Sequence, residues 1–283
     1  MVSVETVSEL RQALCGVRHS GTIGLVPTMG ALHEGHLSLI RHARSQCRTV
    51  VVSAFTNPAQ FGPDEDLAAY PTNAARDLSL CETEGVDIVF MPDVQEVYPP
   101  AFDTAVEVGE LTTVLCGHPS RRGPEHFRGV TTVVCKLFNM VGADVAFFGQ
   151  KDAQQAIVIK KMVRDLDIPI QIEVLPTVRD PDGLAISSRN AYLSPGQRQK
   201  ALALNRCLQA ATDAVAQGTY EAPQILEKAR KTLQNAGVVP EYLELRCPDD
   251  LSVVESVTTE ALLCVAARIG KARLIDNVIL QRP

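Results

Sequence analysis

Apolar residues in the first 175 positions fall into short continuous runs and longer stretches of helical spacing, and the two kinds alternate. Residues 22–26 form a short apolar run ended by Pro27. Residues 50–55 form a β-branched run of the kind a strand covered on both faces shows. Further strand-like runs are 86–91, 145–148 and 170–175. Between them, 36–47 carries Leu37, Ile40 and Cys47 at roughly helical spacing. A second helix is expected from a cap at Thr72 to Glu84, stopped at Gly85, with Leu78 and Cys81 facing inward. Two more cover 130–141 and about 153–166. This β-α-β-α order predicts a parallel sheet with right-handed crossovers, hence an α/β, doubly wound (Rossmann-like) domain over 1–175. Ligands of such sheets sit at the carboxyl ends of the strands, which singles out the loops after Val26, Phe55, Phe148 and Leu175. A strand-rich face is read at 94–108.

After Leu175 the pattern changes. Residues 176–194 are polar and turn-rich, with Asp180-Pro181-Asp182-Gly183 at their centre. Two helices follow at 197–217 and 222–236, then strand-like runs at 242–246, 261–267 and 273–278. This predicts a smaller α+β domain over 176–283.

Composition narrows the function classes. With 46% apolar and 21% charged residues, the chain can bury a core and still present a polar surface. Its net charge of −6 argues against nucleic acid or an acidic membrane as partner. The eight cysteines include no C-x-x-C pair and mostly sit in apolar runs, the scatter of reduced, buried thiols in a cytoplasmic protein. The first ten residues hold two acids and no apolar stretch, so no secretory leader is expected. No apolar run approaches the ~20 residues of a membrane span.

Four segments carry candidate chemistry. Pro27-Thr28-Met29-Gly30-Ala31-Leu32-His33-Glu34-Gly35-His36 follows the first strand and opens a helix. His33 and His36, three apart, share one face of the first turn, where the helix dipole and free N–H groups favour negative charge. Gly35 between them lets a flat base or ribose approach the backbone. That suits a nucleotide whose phosphates gain charge in a transition state. Two other readings stay open. One histidine can cap while the other packs, or zinc can bind, although His-Glu-Gly-His is not H-E-x-x-H and no third ligand is spaced nearby.

Phe147-Phe148-Gly149-Gln150-Lys151-Asp152 ends a strand ahead of a helix. Gly149 permits a tight turn, Lys151 offers a point charge to phosphate, and Asp152 can cap the helix or hold Mg²⁺; plain strand–turn–helix punctuation is the competing reading. Gln154 and Gln155 are helix formers as well as possible ligands. Ile186-Ser187-Ser188-Arg189-Asn190 offers two hydroxyls and a guanidinium in a polar loop able to close over a triphosphate, or simply a solvated loop. Phe55-Thr56-Asn57-Pro58-Ala59-Gln60-Phe61-Gly62 presents Gln60, which both donates and accepts, as suits a small hydroxy acid; a Pro/Gly-bounded connection would look the same. Neither G-x-x-x-x-G-K-[ST] nor a strand-borne G-x-G-x-x-G is present, which closes the usual P-loop and nicotinamide routes.

These segments, in this order and with these gaps, closely resemble the pantothenate synthetase family over essentially the whole chain. The motifs are the H-x-G-H helix start, N-P-x-Q-F, H-F-R-G-V at 126–130, F-G-Q-K-D and S-S-R-N. H-x-G-H alone would point only to the wider group of adenylyl- and cytidylyltransferases. The resemblance implies an ATP-dependent ligase that adenylates pantoate and passes the pantoyl group to β-alanine, with Mg²⁺ accompanying ATP and a homodimeric assembly. It implies that Met29, Gly30, Ala31, Leu32, His33, Glu34, Gly35 and His36 form the ATP-binding turn, with His36 as catalytic proton donor and His33 beside it. Gly149, Gln150, Lys151 and Asp152 become a second nucleotide contact, with Lys151 on the phosphates. Pro176 and Val178 line the adenine, and Ile186, Ser187, Ser188 and Arg189 form the phosphate loop. Gln60 and Gln155 become a pantoate-binding pair, with Phe55 and Phe148 as apolar walls and Gln60 also at the β-alanine position. Three departures stand out. Ala185-Ile186 replaces the Lys-Met of the wider group, Ala59 is smaller than the usual Leu or Met, and Glu125 stands where Gly is common.

Overall fold

The computed structural model describes residues 1–63, 65 and 67–283, with Ala69 described through its backbone alone. The chain divides into two compact units, one of residues 1–149 with 158–176 and the other of residues 150–157 with 177–283.

The first unit is built on β1 (Val2–Val4), α1 (Val7–Cys15), β2 (Ile23–Thr28), α2 (Glu34–Gln46), β3 (Thr49–Ala54) and α3 (Ala74–Thr83). It continues with β4 (Ile88–Phe90), α4 (Val94–Val97), α5 (Pro124–Val141), β5 (Val145–Gly149), α6 (Ala153–Asp165) and β6 (Gln171–Leu175). Helix α6 starts in the second unit's share of the chain and ends in the first's. The six strands form one parallel sheet in the order β1-β4-β3-β2-β5-β6, the expected doubly wound architecture. From β2 the chain winds outward through β3 and β4 on one side, and then through β5 and β6 on the other. The order therefore switches between β2 and β5, where ligands of such sheets bind. Val50, Val51 and Val52 of β3 are all fully buried, which explains why that strand reads as unbroken apolar sequence.

Three local expectations change. The cap of α3 is Asn73, whose side chain accepts from the Arg76 N–H at 3.1 Å, one residue beyond Thr72. Residues 94–108 are not strand: Val94–Val97 is a single helical turn, and no strand follows it among the described residues up to 108. Helix α5 begins at Pro124, six residues ahead of 130, with proline at the first turn where its missing N–H costs nothing. It ends at Gly142 with φ +59°, the left-handed stop that glycine adopts most readily.

The second unit holds α7 (Pro195–Ala216), α8 (Ala222–Asn235) and an antiparallel sheet of β7 (Pro240–Arg246), β8 (Glu260–Ile269) and β9 (Ala272–Gln281), in that order. Both helices pack one apolar face on the sheet, with Leu204, Cys207, Ile225 and Leu233 meeting Leu245, Leu263 and Val265. None of the eight cysteines forms a disulfide, and burial pushes the Cys81 and Cys207 thiols up to about 12. No helix among the described residues is long and apolar enough to cross a membrane.

Candidate active site

The carboxyl end of β2 carries the first group of candidate residues. Thr28 closes the strand by donating its hydroxyl to the Ser53 carbonyl at 2.7 Å and accepting from the Gly30 N–H at 3.1 Å. The chain then bends through Gly30 (φ +78°) and Ala31 (φ +51°), a left-handed pair that costs a non-glycine residue energy. A buried carboxylate holds that bend. Asp77 of α3, 2% exposed, accepts from the Ala31 and Leu32 N–H groups at 2.8 Å each, and Arg76 donates to the Leu32 carbonyl at 2.8 Å. Helix α2 begins immediately afterwards, with His33 as its extended N-cap.

His33 and His36 stack, with ring centroids 4.0 Å apart and planes 17° from parallel. The His33 N–H points to His36 Nδ1 at 3.4 Å. A neutral ring accepting there carries its proton on Nε2. Gly35 does more than admit a ligand: a Cβ there would come within 3.1 Å of the His33 ring, so glycine also lets that ring fold over the turn. Glu34 is half-exposed and pairs with Arg41, while Leu32 is buried in the core. Of the predicted ATP turn, Leu32 is thus a packing residue.

The loop after β3 carries Gln60, 9% exposed. Its carboxamide oxygen accepts from Asn57 Nδ2 at 3.1 Å and its Nε2 donates to Met29 Sδ at 3.0 Å, which ties this loop to the turn after β2. Asn57 is itself fixed by donating to the Gly129 carbonyl at 3.1 Å and accepting from the Tyr98 hydroxyl at 2.8 Å. Burial pushes that phenol up to about 12 despite its bond to Asn57, so Tyr98 stays a donor at neutral pH. From the other side His126 Nδ1 meets the Gln60 carbonyl at 2.7 Å, Arg122 Nη1 lies 3.1 Å from His126 Nε2, and Arg122 grips Glu65 through two bonds of 2.6 Å. Burial raises the Glu65 carboxyl, but Arg122, the Gly62 N–H and His126 outweigh that and hold it below its ordinary range. Phe55 (5% exposed, ring 6.3 Å from Tyr98) directly follows β3, and Phe148 (4%) stands one residue before the end of β5; both are buried. Arg128 of the H-F-R-G-V stretch pairs with Glu125 at 3.2 Å on the exterior.

Gly149 is the last residue of β5. Its φ is not left-handed and a Cβ there would meet nothing within 4 Å, so the tight turn expected of it is not what requires glycine. Pro176 closes the first unit just past β6.

The second unit holds the other candidates. Gln150–Asp152 is one 3-10 turn, with Lys151 Nζ 3.6 Å from Asp152 Oδ1. Gln155 follows in the first turn of α6 and is partly exposed, whereas Gln154 is 6% exposed. Val178 accepts from the Ile186 N–H at 3.0 Å, and Arg179 pairs with Ala185 in a short antiparallel bridge, so the turn-rich stretch is a hairpin delivering Ser187. Ser187 Oγ accepts from the Arg189 N–H at 3.3 Å and caps the 3-10 helix Ser188–Tyr192. Thr177 Oγ1 and Asn190 Oδ1 are buried with no hydrogen-bond partner, which leaves each able to meet a ligand donor. Among the described residues no three His, Cys, Asp or Glu side chains gather as a metal cage.

Sequence reading missed Asp77, Asn57 and Tyr98 as parts of this arrangement. Asn57 had a signal, since it stands three residues before Gln60 in the same motif. Asp77 had none, because a helix residue 45 positions from Leu32 reaches it only through the fold.

The family model described as pantoate-beta-alanine ligase matches residues 2–279. The chain is 52% identical over 282 residues to pantothenate synthetase 1 of Bradyrhizobium diazoefficiens, covering 99% of this chain and 98% of that one. It is 50% identical over 286 residues to the pantothenate synthetase of Moorella thermoacetica, covering 99% of each. Among solved structures, pantothenate synthetase from Thermus thermophilus superposes with TM-score 0.92 at 44% identity, covering 98% of this chain and 99% of that one. Pantoate-beta-alanine ligase from Francisella tularensis, complexed with beta-gamma ATP and beta-alanine, gives TM-score 0.80 at 32% identity, covering 99% and 97%.

Proposed function

Because the chain belongs to the pantoate–β-alanine ligase family, we infer that it condenses pantoate with β-alanine to pantothenate in an ATP-dependent reaction that passes through pantoyl adenylate. The observation that carries the residue-level reading is the His33–His36 stack at the start of α2, bonded through Met29 to the loop that presents Gln60. A relative of the same fold binds ATP and β-alanine together, which supports both substrates for this chain.

A carboxylate is a poor acyl donor because oxide is a poor leaving group. Attack of the pantoate carboxylate on the α-phosphorus of ATP releases pyrophosphate and leaves an acyl phosphate whose leaving group is AMP. The neutral amine of β-alanine then attacks the acyl carbon, and the acyl–oxygen bond breaks. Charge builds on the phosphates in the first step, and preorganised donors aimed there lower its barrier. In the first unit these donors are the N-terminal N–H groups of α2 and the ring proton of His36, with His33 stacked behind it. In the second unit Lys151 and Arg189 supply cationic charge, and Ser187 and Ser188 supply hydroxyls. Gln60 is preorientated by Asn57 and binds the hydroxy acid and then the amino acid. Gln155 adds a second amide to pantoate, and Phe55 and Phe148 pack its methyl groups. Pro176, Val178 and Ile186 border the adenine, and the chain from Gly149 to Asp152 follows the phosphates.

Mg²⁺ bound with ATP would neutralise phosphate charge. Asp152, a half-exposed carboxylate beside Lys151, fits a hard cation that takes one or two protein oxygens and its remaining ligands from phosphate and water. The enzyme works as a homodimer in the cytoplasm, a placement supported by eight cysteines without a disulfide. Light scattering reads the assembly directly.

The test is an omission series with purified protein, ATP and Mg²⁺. Pantothenate and AMP are expected in equal amounts only with both pantoate and β-alanine present. Turnover independent of pantoate would refute the assignment.

A further inference from the structure

Two adjacent polar residues of β9 are buried outside the apolar core. Asp276 and Asn277 of β9 are 3% and 5% exposed. Consecutive side chains of a strand point to opposite faces, so the two reach different neighbours. Asp276 accepts from Arg179 through both carboxylate oxygens, at 2.6 and 2.9 Å, and from the Asn277 N–H at 2.8 Å. Arg179 also donates to the Gly183 carbonyl at 3.3 Å and forms the bridge to Ala185, so it fixes the hairpin whose exit is Ile186-Ser187-Ser188-Arg189. Asn277 uses its whole amide on the other segment. Its Nδ2 donates to the carbonyls of Gln150 at 2.9 Å and Lys151 at 3.0 Å, and its Oδ1 accepts from Gln150 Nε2 at 3.0 Å.

A buried ion pair seldom stabilises a fold more than apolar side chains of the same volume would, so core cohesion alone does not account for these groups. Their partners set them apart from the apolar core of α7, α8 and the sheet. They are the Arg179 side chain of the hairpin that leads to Arg189, and the turn that carries Lys151.

We propose that Asp276 and Asn277 are positioning residues of the adenylation step, one holding the hairpin that delivers Ser187–Arg189 and the other holding the turn that aims Lys151. The proposal rests on the reading that Lys151 and Arg189 contact ATP phosphates. It extends the active machinery to the last strand, which touches no reacting atom.

The test is a double-mutant cycle on pantoate-dependent exchange of pyrophosphate into ATP. Asn277→Asp keeps the shape of the side chain and removes both donors. It is expected to lower the exchange rate about tenfold or more, with the KM for pantoate unchanged. In a Lys151→Ala background the same change is expected to cost less than about twofold, because there is no longer an ammonium to aim. Asp276→Asn with Arg189→Ala gives an independent cycle should Asn277→Asp fold poorly, and thermal melts of every variant separate misfolding from misalignment. Equal losses in both backgrounds, or no loss in either, overturn the proposal. If Lys151→Ala alone leaves exchange at the wild-type rate, the phosphate role of Lys151 fails first, and the Asn277 proposal falls with it.

Discussion

Gly129 offers the sharpest mutational test of how the Gln60 loop is held. A Cβ built there would lie 2.2 Å from the Ala59 carbonyl oxygen, 2.4 Å from its carbon and 2.7 Å from the Gln60 nitrogen. All three are backbone atoms and cannot swing aside. To reach even 3.0 Å from that oxygen the loop must retreat by about 0.8 Å. Retreat strains the bond from Asn57 to the Gly129 carbonyl and that of His126 with the Gln60 carbonyl. Two effects compete in Gly129→Ala. Alanine raises helix propensity by about 1 kcal/mol, whereas overpacking of a tight contact costs about 1–3 kcal/mol and moves Gln60 with it. A reactant-binding group misplaced by about 1 Å loses on the order of 10²-fold in rate. The expected variant is therefore folded but slightly less stable. Steady-state assays should give a kcat/KM for pantoate lower by about 10²-fold, while calorimetric ATP affinity stays within about twofold, because Asp77 on α3 still holds the Ala31 and Leu32 N–H groups when the bond to Met29 is strained. A variant more stable than wild type with kcat/KM within twofold would refute the reasoning. It would mean that the loop yields freely and that its register is set elsewhere.

Three further changes follow from the same geometry. His36→Ala should slow pyrophosphate release by roughly 10²–10⁴-fold with little change in melting temperature, and wild-type turnover would remove His36 from the chemistry. Asp77→Asn presents an amide N–H to one of two buried backbone donors, at a cost of about 1–3 kcal/mol. Its KM for ATP should rise roughly tenfold, and an unchanged KM would show that the left-handed turn keeps its shape without the carboxylate. The Glu65 carboxyl is held below its ordinary 4.5 in the folded chain, so its stabilisation is full above that value and is lost as pH falls through the lowered one. Melting curves on acidification below pH 4.5 should fall more steeply for the wild type than for Glu65→Gln, and parallel curves would contradict the Glu65–Arg122 tie.

The sheet was legible because both-face burial writes a strand as unbroken apolar sequence, as in 50–55, and helices write theirs in period. The first strand and helix escaped because Val2–Val4 is too short to show a pattern. The Thr6–Glu9 capping box was nonetheless a readable start signal for α1. The start of α5 escaped because its first turn, Pro124-Glu125-His126, is polar and precedes the apolar period. Among candidate site residues, those carried on motifs could be named from the sequence. The supports were not, since Asp77, Tyr98 and Asp276 act across 45, 41 and 97 positions and leave no local trace. Gly129 was inside a quoted motif, yet its reason is a backbone approach that only the folded chain reveals.

The central claim is that pantoate is activated by joining its carboxylate to AMP. Pantoate labelled with ¹⁸O in both carboxylate oxygens, turned over with ATP, Mg²⁺ and β-alanine, tests it by mass spectrometry of the products. The account predicts one labelled oxygen in each AMP and one in each pantothenate, because the attacking oxygen leaves with the phosphorus. Unlabelled AMP with turnover intact would contradict it.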